Sequence, residues 1–106
     1  MKILGNIESS YYKYIIYLGK KYNRDIVKNR LKKEYNISLP GEVYAEACHT
    51  QPVFKKYKDL VFNTDDKFHG ADYVTNNQLC LPLYPSLAKG EVLYIIDSMK
   101  DLLINY

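Results

Sequence analysis

Near the end of the chain, Val92, Ile95, Ile96, Met99, Leu102 and Leu103 recur at helical spacing and draw one apolar stripe down a helix from about Glu91 to Ile104. Such a helix is stable only when its stripe is covered, so the chain must supply a sheet for it or another domain must. With 106 residues there is enough chain for one domain, which buries about two-thirds of the surface its unfolded form exposes. The margin is thin, and every other element has to help cover that stripe.

The strand signal nearest the N-terminus is Tyr11–Leu18, YYKYIIYL, β-branched and aromatic with only Lys13 charged. Residues 1–10 have no clear period and read as an irregular lead-in. Asn23 is an N-cap, Asp25 lies in the first turn where the helix dipole favours an anion, and Val27, Leu31 and Tyr35 recur every four residues, which predicts an amphipathic helix over Arg24–Tyr35. Asn36 ends it. Pro40 and Gly41 make a turn, Glu42–Tyr44 reads as a short strand, and Pro52 opens a brief helix reaching Tyr57 or Leu60. Asn63–Lys67 is a polar surface loop, Ala71–Asn77 a short helix, and Leu79–Leu83 a buried strand or extended segment. The expected fold is a single α+β domain over residues 1–106, with a small antiparallel sheet and helices mainly on one face.

Chemistry concentrates in Gly41–Phe54, GEVYAEACHTQPVF. Cys48, His49, His69 and Cys80 have the ligand types of a zinc site, but no CxxC or helical HxxxH pair pre-organises two of them, and buried thiols with a hydrogen-bonded histidine account for them. Cys48 and His49 are adjacent, so in an extended segment they point to opposite faces and form no nucleophilic dyad. His49 before Gln51 and Pro52 reads either as a polar group aimed by a rigid turn or as a tie to the following helix. Tyr44 either orients a substrate group through its hydroxyl or is one more interface ring. No glycine-rich phosphate loop or nucleotide fingerprint occurs.

The net charge of +3 is too small to imply a polyanionic partner, and the basic face of the first helix lacks interleaved aromatics, so no nucleic acid is expected. No apolar run approaches the ~18 residues of a membrane span, and the start of the chain does not read as a signal peptide. Two isolated cysteines then point to reduced thiols and a cytoplasmic setting.

Taken in order, SSYYKYIIYL, the helix opened by NRD, NISLPGEVY, CHTQPVFKKY, the F-x-x-A at Phe68 and Ala71, LCLPLYPSL and the helix EVLYIIDSMKDLL form a series of spaced motifs. From about Ser9 to Leu103 the chain closely resembles the C-terminal small domain of the DegT/DnrJ/EryC1/StrS family, pyridoxal-phosphate-dependent aminotransferases of nucleotide-linked keto-sugars. The resemblance implies that Tyr44 matches the tyrosine of the family's His-Tyr pair and that His49 and Pro52 match its HxxP segment. Leu81, Pro82 and Pro85 match its LPxxP motif. Tyr44 and His49 are therefore the substrate-side candidates, and no residue is expected to be catalytic. Two departures stand out: Val43 replaces the histidine of the pair, and Ala88 replaces the usual Ser or Thr cap of the last helix.

The resemblance also implies that the pyridoxal phosphate of the parent family is held elsewhere, because the large domain with the Schiff-base lysine is not in these 106 residues. The chain alone is then inactive. Its expected partners are a separate chain carrying that domain or, for a non-catalytic interaction module, a second copy in a homodimer. A remnant of gene truncation is a third reading.

Overall fold

The computed structural model describes residues 5–57 and 67–106. Within them lie strand β1 (Tyr14–Tyr17), helix α1 (Arg24–Tyr35), a 3-10 turn (Cys48–Thr50), helix α2 (Pro52–Lys56), helix α3 (His69–Asn77), strand β2 (Gln78–Leu81) and helix α4 (Lys89–Ile104). β1 and β2 pair antiparallel, with Tyr14 opposite Leu81 and Tyr17 opposite Gln78. The α+β expectation holds.

Side chains alternate across a strand, so Ile16, Leu79 and Leu81 share one face of this ribbon. That face packs against α1 and α4 in a core of Leu18, Val27, Leu31, Ile37, Leu79, Ile95, Met99 and Leu102. The helical expectation for the last element is met, and α4 begins two residues before the expected Glu91. Ile95, Met99 and Leu102 are buried, whereas Val92 and Ile96 remain more than one-third exposed.

Local chemistry accounts for the ends of the elements. Asn23 Oδ1 accepts from the N–H groups of Asp25 and Ile26 at 2.9 and 3.1 Å, opening α1 where the sequence placed it. Asn36 takes the left-handed conformation at φ 54°, and the Ile37 N–H closes back on Leu31 O at 3.0 Å, ending the helix. β1 is shorter than the Tyr11–Leu18 run because Tyr11 also has positive φ, 49°, and its N–H turns onto Ser9 Oγ. β2 stops at Leu81 because Pro82 has no N–H to continue a ladder. Tyr84–Leu87 closes a turn with Pro85 at its second position, the Leu87 N–H donating to Tyr84 O.

Two expectations change. Glu42–Tyr44 forms no strand; its carbonyls are taken by side chains rather than by a neighbouring strand. α3 begins at His69 rather than Ala71. The expected loop at Asn63–Lys67, apart from exposed Lys67, and the possible extension of α2 to Leu60 lie outside the described residues.

Tyrosines stitch α1 to α4. The Tyr22 hydroxyl donates to Leu103 O at 3.1 Å, the Tyr94 hydroxyl to Tyr35 O at 2.9 Å, and the Tyr35 hydroxyl to Asp101. Tyr106 meets Tyr22 edge to face at 4.9 Å, and its oxygen accepts the Asn23 N–H. Several of the 12 tyrosines thus serve the helix pair, while Tyr11, Tyr12, Tyr14, Tyr17 and Tyr44 stay exposed.

Candidate functional site

Gly41–Ala47 runs as an irregular segment into the 3-10 turn and α2, so its backbone groups need partners from elsewhere. Lys13 Nζ donates to Gly41 O at 2.6 Å and Glu42 O at 3.2 Å. Gln78, buried on β2, donates from Nε2 to Tyr44 O at 2.6 Å. The Thr50 hydroxyl closes on Ala47 O, and Gln51 Nε2 donates to Glu46. These bonds fix the backbone without any ladder.

Glu42 anchors the segment electrostatically. Its carboxylate is largely buried and lies 2.6 Å from Lys28 Nζ on α1. Burial alone would raise its pKa, but the hydrogen bond from Lys28, its own backbone N–H and the charges of Lys28 and Arg24 outweigh that, holding it below the usual glutamate value. Arg24 itself donates to Thr75 O at 2.6 Å, tying α1 to α3.

Past this anchor the two substrate-side candidates diverge. Tyr44 has a fixed backbone and a ring that is 72% exposed. His49 is half-buried: its Nε2 lies 2.9 Å from Asp72 Oδ1 on α3, and its ring stacks on Phe68 at 4.6 Å. A neutral imidazole donating to Asp72 keeps its proton on Nε2, which leaves Nδ1 as an acceptor. His49 therefore acts as a tie between the 3-10 turn and α3 as well as an oriented polar group. Pro52 occupies the first turn of α2, and Leu81 and Pro82 join β2 to an apolar groove.

That groove, about 540 Å³, runs between β1, the stretch after β2, and α4, with Tyr14, Leu83, Val92 and Ile96 among its walls. Lys100 stands at its margin, mostly exposed. Among the described residues no three His, Cys, Asp or Glu side chains come together in metal geometry; Cys48 is exposed and Cys80 buried in β2. No helix is long and apolar enough to cross a membrane.

The model of the DegT/DnrJ/EryC1/StrS aminotransferase family matches residues 3–100. The chain belongs to that family. No curated protein and no solved structure matches it. The ordered motifs and the α+β fold agree with the family's small C-terminal domain.

Pyridoxal phosphate, which that family uses, needs a lysine, a carboxylate for its ring nitrogen and a cluster of donors for its phosphate. The residues around the candidate segment and the groove do not fit it. Lys13 and Lys28 are committed to carbonyl oxygens and to Glu42, and Lys100 borders an almost wholly apolar groove.

The sequence reading missed Lys13, Lys28, Glu42, Gln78 and Asp72, which hold the segment and its histidine. All act across 14 residues or more in sequence, beyond the reach of periodicity.

Proposed function

We propose that this chain forms one wall of an aminotransferase cleft and works against a domain that binds pyridoxal phosphate, supplied by a separate chain. Family membership supports the reaction class. The observation that carries the reading is the pairing of a rigidly tethered backbone with an exposed Tyr44 ring, an arrangement suited to meeting a substrate from the side opposite the cofactor. His49, aimed by Asp72 and Phe68, is the second substrate-side group. The resemblance points to a nucleotide-linked keto-sugar as amino acceptor, and the expected setting is the cytoplasm.

Reconstitution tests this. The chain is mixed with a large-domain chain of the same family, and amino transfer to a nucleotide keto-sugar is followed. A gain over the large chain alone, reduced at least about tenfold by Tyr44→Ala or His49→Ala, is expected, since the loss of one oriented contact is worth about 1.4 kcal/mol or more. No gain counts against the reading.

The apolar groove favours a second reading, a non-catalytic interaction module derived from the same domain. Val92, Ile96 and Leu83 leave an apolar surface open beside the core. Light scattering across a concentration series separates the two: self-association without any reconstituted transfer supports the module, and a strict monomer that restores activity removes it.

A further inference from the structure

The ladder register defines which strand groups have partners. The Leu18 N–H donates to Asn77 O directly opposite it, so Ile16 and Tyr14 are the next hydrogen-bonded residues facing β2. By the same alternation, the N–H and C=O groups of Ile15 and Tyr17 point away from β2, along the outer edge of β1. No described residue bonds them. On β2 the corresponding residues, Gln78 and Cys80, are buried, whereas Tyr14, Ile15 and Tyr17 are all exposed. An apolar strand with an open edge is a template for a further strand, and a two-stranded ribbon gains stability from one.

Charge decides what that strand is. From Ser9 to Arg24 there is no acidic residue, while Lys13 precedes β1 and Lys20 and Lys21 follow it. Lys13 is bonded to carbonyl oxygens only, Lys21 lies over the Tyr22 ring, and Lys20 is exposed, so no carboxylate neutralises any of them. A second copy paired antiparallel about Ile16 would bring Lys13 beside the other copy's Gly19 and Lys20 at both ends, like charge against like. A nucleic-acid strand would meet the lysines but has no alternating donors and acceptors for the backbone of Ile15 and Tyr17.

We propose that the outer edge of β1 docks an extended segment of a partner polypeptide, apolar along its middle and acidic at both ends. Backbone hydrogen bonds to Ile15 and Tyr17 give the register, and the exposed Lys20, with Lys21 beside it, selects the acidic flank at the C-terminal end of β1, while Lys13, held on Gly41 O and Glu42 O, adds positive field at the other end. Tyr14 and Ile16 also wall the apolar groove, so alternate side chains of the added strand extend that wall. The edge takes such a segment whatever chemistry the partner carries, so the inference stands apart from the aminotransferase reading.

The test uses short synthetic peptides of alternating valine and threonine, capped at both ends with glutamates or with lysines, titrated into the ¹⁵N-labelled chain. The glutamate-capped peptide is expected to slow amide exchange at Ile15 and Tyr17. The lysine-capped one should bind at least about tenfold more weakly, two or three surface charge pairs being worth roughly that ratio. Ile15→Pro removes an outward N–H without touching the β1–β2 ladder, a substitution that edge strands tolerate, and it should abolish binding. If that variant fails to fold, protection of Ile15 and Tyr17 in the unmodified chain decides. The proposal is overturned if neither peptide protects these amides, or if both bind equally. It is also overturned if dilution of the chain alone exposes protected amides, which would mean a second copy, or if oligothymidylate binds this edge and the peptides do not.

Discussion

Lys28 on α1 and Glu42 in the irregular segment meet at 2.6 Å, with the glutamate side chain largely buried and the lysine partly so. Removing the lysine leaves a carboxylate with no cation in contact. Lys28→Met is expected to cost about 1–3 kcal/mol by urea unfolding at neutral pH. The double variant with Glu42→Gln should lose less than the sum of the two singles. The Glu42 pKa is depressed on folding, so its contribution is present above the unfolded value of about 4.3 and is lost as pH falls through the lower folded value. The gap between Lys28→Met and the parent chain should therefore close in acid. A gap that widens there would mean the pair is not the source of the stability.

The legible parts of the fold were those governed by local rules. α1 begins and ends where Asn23 and Asn36 predict, because each cap is a bond between near neighbours. α4 was legible through its stripe. The strand expected at Glu42–Tyr44 was not formed, because the backbone partners there are Lys13 and Gln78, far along the chain and chosen by packing. Of the candidate site, Tyr44 and His49 came from a motif resemblance. The residues that hold them, Gln78 and Asp72, carried no signal of their own because a single polar residue at the end of a helix or strand matches any solvated position.

The stripe on α4 divides into a covered side and an open side. Leu102 is fully buried in the core, while Val92 walls the groove and is more than one-third exposed. Leu102→Ala should destabilise the chain by about 2–5 kcal/mol, the cost of a core cavity. Val92→Ala should cost under about 1 kcal/mol, since half-open surface forfeits little burial. Thermal unfolding of both variants checks this, and equal losses would mean that the groove side is as tightly packed as the core.

Helix α4 starts with half of a capping arrangement. Glu91 Oε2 accepts the Ala88 N–H at 2.8 Å, but Ala88 has no side-chain oxygen to return the bond. Its backbone is already extended, φ −73° and ψ 151°, the conformation of a capping residue. Ala88→Ser should therefore raise stability by about 0.5–1 kcal/mol, read as a higher melting temperature. No gain would show that solvent already satisfies the free N–H groups of the first turn.

His49 joins two elements that have no ladder between them: its imidazole bonds Asp72 on α3 and stacks on Phe68 ahead of it. Asp72→Ala removes the acceptor and leaves the stacking. Because Asp72 is nearly half exposed, the loss in global stability should not exceed about 1 kcal/mol. The local effect should be larger: with the tie gone, amides of the 3-10 turn at Cys48–Thr50 should exchange faster than those of α1, which has its own caps. The ¹⁵N shifts of the His49 ring should also move from the Nε2–H tautomer toward a mixture. Unchanged ring shifts would mean that Phe68 and the turn alone orient the imidazole, and Asp72 would then have no part in presenting Nδ1.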